Sequence, residues 1–141
     1  MLKALVPVDG SSASERAVRH VIALMKGREP MEVHLINVQE EADAPQLRRF
    51  VKPPDIKRMQ LEHARTALQA AKRLLDRAGI DYKEHVMIGD PAEKIATFAR
   101  RGRFDKIVMG THGRTGISAM LMGSVATKVL HRATVPVTLV K

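Results

Sequence analysis

Apolar and polar positions follow a repeating order along the chain, in which short apolar runs alternate with longer amphipathic segments. Five runs predict β-strands: LKALVPV, MEVHLINV, DYKEHVMI, DKIVMG and VPVTLV. Between them, apolar residues recur every three or four positions, which predicts helices. The second run is apolar almost throughout, as in strands that are buried on both faces of a parallel sheet. The order β-α-β-α-β-α-β-α-β therefore predicts an α/β fold, a three-layer sandwich with a five-stranded parallel sheet and helices on both faces.

Residue types that are common at helix ends mark the starts of two predicted helices. Ser12 and Glu15 have the S-x-x-E spacing of a capping box, so we expect Ser12 to cap the first helix. Asp90 and Pro91 combine a capping aspartate with a proline at the first helical position, and Glu93 follows at the third. These signals predict where each of the two helices begins.

The longest amphipathic segment follows a polar stretch. Apolar residues from 61 to 78 step by three and four, and Gly79 is expected to end this helix. Residues 40–55, EEADAPQLRRFVKPPD, are polar and contain three prolines, which predicts a long loop. The sequence does not indicate what this loop does. A last helix is predicted from Ser124 to Arg132.

Length and composition bound the fold and the setting in which the protein works. The chain has 141 residues, of which 45% are apolar, and this suits a single domain, 1–141, with a hydrophobic core. Cysteine is absent, which excludes disulfides, thiolate metal sites and a cysteine nucleophile in this chain. The apolar run at the N-terminus is too short to span a membrane and lacks a cleavage-site pattern. We therefore expect a cytoplasmic protein without a membrane span.

The charge of the chain favours anionic ligands. Its net charge of +9 attracts nucleotide phosphates, nucleic acid or acidic membranes. Aromatic residues make up only 3% of the chain, which leaves few platforms on which bases can stack. Specific binding of nucleic acid is therefore the weaker interpretation of the positive charge.

Candidate binding residues follow the first and the fourth strand, in VPVDGSS and VMGTHG. In parallel sheets of this kind, ligands bind beyond the carboxyl ends of the strands, where the strand order reverses. Gly110 and Gly113 follow the fourth strand, and Gly123 and Ser124 open the next helix. The free N–H groups of a helix start favour an anion. Arg114 adds a cation that can approach a terminal phosphate.

The glycine-rich segment differs from two familiar phosphate loops. The chain has no G-x-x-x-x-G-K-S/T motif, and the spacing of its glycines is not G-x-G-x-x-G. Residues 114–122 would form an arm able to close over the phosphates of a di- or triphosphate. From the residues alone, a flexible glycine-rich surface turn is the alternative.

The pattern Gly110-x2-Gly113-x9-Gly123-Ser124 resembles the ATP-binding signature of the universal stress protein family. The likeness covers the whole chain, since LVPVDGS, GDPAEKI, DKIVMGTHGRTG and LMGSVATKVLHRATVPVTLV occur in the order of the family. The resemblance implies a Rossmann-like adenine-nucleotide fold with the strand order 3-2-1-4-5. It also implies ATP as the cofactor, and a homodimer that forms through the last strand, residues 135–140.

The resemblance assigns nucleotide contacts to strand ends and to the glycine segment. Asp9 matches the acidic residue that contacts the adenosine part, although an aspartate in a turn is the alternative. Pro7 and Val8 would line the adenine pocket together with Val38, and Met109 would pack against the nucleotide. Ordinary core packing is the alternative for Val38 and Met109. The complete set is Pro7, Val8, Asp9, Val38, Met109, Gly110, Gly113, Arg114, Gly123, Ser124 and Val125.

The sequence favours a binding module over a fast enzyme. His112 is a lone histidine in the glycine segment, the other histidines lack the spacing of metal ligands, and the serines lack an elbow motif. We expect an ATP-binding module in a stress response, read by an unknown regulatory protein partner. Mg²⁺ would accompany ATP through the phosphate oxygens and Asp9. The alternatives are a slow ATP-hydrolysing enzyme, a dimeric interaction protein that needs no nucleotide, and binding of nucleic acid. A phosphotransferase or pyrophosphatase is disfavoured because no S-G-G-x-D-S loop follows the first strand.

Overall fold

The structure, a computed structural model, describes residues 1–41, 51–111 and 123–141. Strands and helices alternate along these residues in the order that the sequence predicts. The strands are β1 Leu2–Pro7, β2 Met31–Gln39, β3 Tyr82–Ile88, β4 Lys106–Gly110 and β5 Val137–Val140. The helices are α1 Ser12–Lys26, α2 Pro53–Arg77, α3 Pro91–Arg101 and α4 Ser124–Arg132.

The five strands form one parallel sheet in the order β3-β2-β1-β4-β5, which confirms the predicted topology. β1 pairs with β2 along its whole length, from Leu2 opposite Met31 to Pro7 opposite Ile36. Its pairing with β4 is limited to Ala4 and Leu5. The strand order reverses between β1 and β4. A ligand is therefore expected beyond the carboxyl ends of these two strands.

The hydrophobic core has two parts, one on each face of the sheet. One part joins the sheet to α1 and α2 and includes Val6, Val18, Leu35, Leu68 and Val108. The other joins the sheet to α3 and α4 and includes Leu5, Ile36, Ile95, Ile107 and Val129. This arrangement confirms the sandwich of three layers. Each described helix is either too short or too polar to cross a bilayer.

The start of α1 corrects the predicted cap by one residue. Ser11, not Ser12, is the N-cap, and its Oγ accepts a hydrogen bond from the Ser14 N–H at 3.2 Å. Asp9 explains the difference, because its Oδ1 accepts the Ser11 N–H at 2.9 Å. This contact holds Ser11 in an extended conformation, so that Ser12 is already the first helical residue.

The predicted loop of residues 40–55 is too long at its C-terminal end. Pro53 and Pro54 begin α2, in the first turn where a helix does not need the missing N–H. Residues 42–50 of the predicted loop lie outside the described residues. The cap of α3 is as predicted, since Asp90 Oδ2 accepts the Glu93 N–H at 3.0 Å.

Candidate functional site

A cleft of about 460 Å³ opens at the carboxyl ends of β1, β2 and β4. The start of α1, the start of α3 and the start of α4 close its sides. Nine of the eleven residues proposed from the sequence lie in its wall: Pro7, Val8, Asp9, Val38, Met109, Gly110, Gly123, Ser124 and Val125. The other two, Gly113 and Arg114, lie outside the described residues, as do His112 and the predicted arm 114–122.

The carboxylate of Asp9 is held by the turn that leads into α1. Its Oδ1 accepts the Ser11 N–H at 2.9 Å and lies 3.1 Å from Ser14 Oγ. Every hydrogen bond that the described residues make to this carboxylate goes to Oδ1, so none of them occupies Oδ2. Asp9 therefore has the turn role that was the alternative from the sequence. This role is compatible with a second one in binding.

The end of β2 presents backbone groups to the cleft. The last backbone hydrogen bond between β1 and β2 runs from the Val8 N–H to the Ile36 carbonyl at 2.9 Å. The Val8 carbonyl accepts instead from Asn37 Nδ2 at 2.8 Å. In a parallel strand the backbone groups of alternate residues point to the same side. The N–H and the C=O of Val38 therefore point to the β1 side, as those of Ile36 do, beyond the last ladder bond.

The start of α4 brings free N–H groups to the opposite side of the cleft. The first backbone bond of this helix runs from the Thr127 N–H to the Gly123 carbonyl at 3.0 Å. The N–H groups of Ser124, Val125 and Ala126 therefore have no partner within the helix. The cap residue has no side chain that could bond them. Together with the helix dipole, these groups make the start of α4 a place for an anion.

A buried hydroxyl lies beside these N–H groups. Thr111 is only 7% exposed, lines the cleft, and its Oγ1 has no hydrogen-bond partner among the described residues. Its backbone is fixed, because its N–H donates to the Val140 carbonyl at 3.1 Å and its carbonyl accepts the Gly123 N–H. A buried hydroxyl without a partner is uncommon and calls for an explanation. A ligand atom in the cleft would provide the missing bond.

Gly110 has a structural role that the sequence did not indicate. A Cβ at this position would lie 2.5 Å from the carbonyl oxygen of Ala13, in the first turn of α1. Only glycine lets the end of β4 approach α1 this closely. The absence of a side chain here therefore serves packing, whether or not the residue also contacts a phosphate.

The described part of the cleft wall contains two acidic residues, Asp9 and Glu40, and no lysine, arginine or histidine. The described residues contain no group of three or more histidines, cysteines or acids that could hold a metal ion. Within these residues, the positive potential for an anion comes from helix starts, of which that of α4 has no side-chain cap. A metal held by one carboxylate and by ligand oxygens fits this wall, because Mg²⁺ commonly binds in that way.

Sequence reasoning missed several polar residues of the cleft, namely Ser11, Ser14, Asn37, Gln39 and Thr111. Two of them carried a signal. Asn37 interrupts an otherwise apolar strand end, and Thr111 stands between two glycines of the recognised pattern. The other three lie beside predicted site residues: Ser11 and Ser14 follow Asp9, and Gln39 follows Val38 at the end of β2.

Comparisons with known proteins give one consistent family. The model of the Universal stress protein family matches residues 1–141. Universal stress protein MJ0531 of Methanocaldococcus jannaschii is 34% identical over 145 residues, which cover 99% of this chain and 81% of that protein. The solved structure of the hypothetical protein MJ0577, described as a structure-based assignment of its biochemical function, has a TM-score of 0.83 at 32% identity. The match covers 99% of this chain and 95% of the MJ0577 chain.

Two more distant structures share the fold and hold nucleotides. A universal stress protein in complex with cAMP has a TM-score of 0.71 at 23% identity, with 99% of this chain and 97% of that chain covered. A family member from Arabidopsis thaliana with AMP bound has a TM-score of 0.66 at 20% identity, with 100% and 92% covered.

Proposed function

The chain belongs to the universal stress protein family, and from this premise we propose that it is a regulatory module that binds ATP in the cleft. One observation carries the proposal. The free N–H groups of α4 and the unpartnered hydroxyl of Thr111 lie on one side of a cleft whose other side holds Asp9. This arrangement suits a ligand with an anionic end and a hydroxyl-bearing middle. The adenine nucleotides bound by two structures of the same fold have both features.

The adenine ring would lie against the end of β2. Pro7, Val8 and Met109 provide apolar surface in the wall. The Val38 N–H can donate to N1 of adenine, while its C=O can accept from the 6-amino group. Guanine carries an acceptor and a donor in the reverse order at these positions, so the same backbone groups would oppose it. The geometry therefore favours adenine over guanine.

The ribose and the phosphates would occupy the remaining length of the cleft. Oδ2 of Asp9 can accept a hydrogen bond from a ribose hydroxyl. The phosphates would bind the N–H groups of Ser124 and Val125 and the hydroxyl of Thr111. Gly113 and Arg114 would complete the phosphate site, and Mg²⁺ would bind through the phosphate oxygens.

The regulatory output would come from a conformation that ATP favours. A ligand shifts the population of two states only if it binds one of them better than the other. In this proposal the state with ATP bound is read by a protein partner in a stress response. β5 is an edge strand of the sheet, and a homodimer through residues 135–140 would use that free edge. This dimer and the cytoplasmic location stay predictions.

Isothermal titration calorimetry with ATP and GTP tests the proposal. We expect ATP to bind and GTP to bind far more weakly. Thr111→Val keeps the shape of the side chain and removes the hydroxyl, so we expect it to weaken ATP binding by about tenfold or more. Thr66→Val is the matched control, because the Thr66 hydroxyl bonds a carbonyl on the exposed face of α2. Failure of ATP to bind the unmodified protein, or equal affinity in Thr111→Val, would contradict the proposal.

A further inference from the structure

Two histidines from neighbouring strands form a hydrogen-bonded pair on the sheet face that α3 covers. Nδ1 of His34 lies 2.8 Å from Nε2 of His85, and the two rings are parallel within 3°. Nε2 of His34 lies 3.1 Å from Oε1 of Glu32, and the same oxygen accepts from Lys83 Nζ at 3.2 Å. His34 is only 5% exposed. The four side chains form a continuous chain of polar contacts from β3 to β2 and back.

Aromatic rings enclose this pair. The ring of Phe104 stands edge-on to that of His34, with 4.8 Å between the ring centroids. The centroids of the Phe98 ring, from α3, and of the His85 ring are 4.6 Å apart. Each histidine therefore has apolar surface on one side and a polar partner in its own plane. For His85, burial of this kind disfavours the charged imidazolium form.

Cations dominate the charged groups that face the pair. From β1, Lys3 lies 4.5 Å over the ring of Phe104 and donates to the Gly102 carbonyl at 2.8 Å. β3 contributes Lys83, β2 contributes the single acid Glu32, and among the described contacts α3 contributes only an aromatic ring. Burial first, and then His34 and the two lysines, hold the pKa of His85 below its ordinary value.

The hydrogen bonds allow the pair to carry one proton more than its neutral form, but not two. In the neutral form, His34 donates from Nε2 to Glu32 and accepts at Nδ1 from His85 Nε2–H. One added proton makes His34 an imidazolium that donates from both nitrogens, with His85 as the acceptor, and both contacts persist. A second added proton places an N–H on each side of the 2.8 Å contact. Two N–H donors cannot face each other at this distance, so the two rings must separate when the second proton binds.

We propose that the His34–His85 pair is an acid-sensitive latch, which holds β3 and α3 against β2 until a second proton opens it. His85 belongs to the edge strand β3, which has a neighbour on one side only. It can therefore move outward more easily than His34, whose strand lies between two others. Its departure removes one of the two rings against which Phe98 of α3 packs, the other being Phe104. Clusters of histidine that respond to mild acid in this way are a known kind of switch.

The latch and the cleft share one face of β2 and the helix α3. His34, Ile36 and Val38 alternate along β2 and therefore share one face of the sheet. Ile36 and Val38 line the cleft, as does Ile95, which lies one helical turn before Phe98. Opening of the latch would loosen the wall that the cleft shares with α3. This consequence rests on the proposed function, since it predicts that acid weakens ATP binding.

The effect of pH on stability follows from the lowered pKa of His85. In the unfolded chain residue 85 is an ordinary histidine and takes up its proton near pH 6.5, before His85 of the native protein does. Stability is therefore complete above about pH 6.5 and falls as the pH drops towards the native pKa. A difference of one bound proton changes the unfolding equilibrium constant by about tenfold per pH unit within this window.

Urea unfolding and hydrogen exchange at about pH 7.5 and about pH 5 test the latch directly. His85→Gln keeps a donor for His34 and cannot take up a proton. We expect it to lose much of the pH dependence of the unmodified protein, while His63→Gln, at an exposed position of α2, keeps it. In the unmodified protein the amides of β3 and α3 should lose protection at the lower pH more than those of β1. Equal pH dependence in all three proteins, or unchanged relative protection of β3 and α3, would overturn the proposal.

Two further measurements keep the test independent of the variant and of ATP. NMR titration of the histidine rings in the unmodified protein should show that His85 takes up its proton only below the ordinary pH range of histidine, and an ordinary titration of His85 would contradict the latch. The dissociation constant of ATP at the lower pH, divided by that at the higher pH, should be larger for the unmodified protein than for His85→Gln. If ATP binds at neither pH, the proposed function fails, while exchange and NMR still decide on the latch.

Discussion

Replacement of Gly110 by alanine tests whether this glycine is needed for the packing of β4 on α1. The added Cβ would lie 2.5 Å from the carbonyl oxygen of Ala13 and 2.7 Å from its Cβ. Since ordinary contacts begin at 3.4 Å, the first turn of α1 would have to move by nearly 1 Å. The closest atoms belong to the helix backbone, so no change of rotamer relieves the overlap. Gly110 has no positive φ, so backbone strain adds nothing to the cost.

The expected magnitude follows from this overlap. Overpacking in a close-packed interior costs about 1–3 kcal/mol. For a chain of this size, each kcal/mol lowers the melting temperature by about 2–4 °C. We therefore expect Gly110→Ala to melt roughly 2–12 °C lower than the unmodified protein, measured by calorimetry in the absence of any nucleotide.

Gly27→Ala is the matched control for this prediction. Gly27 has a φ of −76° and an added Cβ there meets its nearest atom at 3.3 Å, so we expect a change within about 0.5 kcal/mol. If Gly110 served only to contact a phosphate, the melting temperature without nucleotide would not change. Identical melting of Gly110→Ala and the unmodified protein would therefore refute the packing argument.

Three other predictions concern the N-cap of α1, the hydrogen bond from Asn37 to the Val8 carbonyl, and the tyrosine of edge strand β3. Ser11→Ala should destabilise the protein by about 1 kcal/mol in urea unfolding because it removes the N-cap, while Ser12→Ala should change little; the reverse result would restore the cap expected from the sequence. Asn37→Ala should cost about 1–3 kcal/mol, since it leaves the Val8 carbonyl without its buried donor, and a loss similar to that of an exposed polar residue would contradict this. Burial, and then a hydrogen bond with Asp76, raise the pKa of Tyr82, the single tyrosine. Its ultraviolet titration should therefore lie at higher pH than that of free tyrosine. The free energy of unfolding should fall as the pH rises past about 10, because the unfolded chain loses the tyrosine proton first. An ordinary titration curve for Tyr82 would contradict both expectations.

The pattern of apolar positions predicted the element order, the parallel sheet and the two helical layers, because burial dictates these features. Local chemistry predicted helix ends less well. Ser12 has the better capping motif, yet Ser11 is the cap, since the carboxylate of Asp9 fixes the preceding turn. Pro53 and Pro54 suggest a loop but begin α2, because proline suits the first turn of a helix as well as a loop.

The candidate site was predictable where it depends on strand ends and helix starts. Asp9 and Ser124 could be assigned to one cleft because parallel strands bring their carboxyl ends to the same side of the sheet, whereas Val38 was assigned through the family resemblance. Contacts between residues far apart in the sequence could not be predicted. The close approach of Gly110 to Ala13 and the pairing of His34 with His85, 51 residues away, depend on packing distances that no local motif encodes.

A crystal structure of the protein grown with excess ATP and Mg²⁺ tests the central claim most directly. We expect adenine against the backbone of Val38, ribose beside Asp9, and phosphates at the first turn of α4 within hydrogen-bond distance of Thr111 Oγ1. A well-ordered structure in which side chains fill the cleft, or in which the nucleotide binds elsewhere, would contradict it.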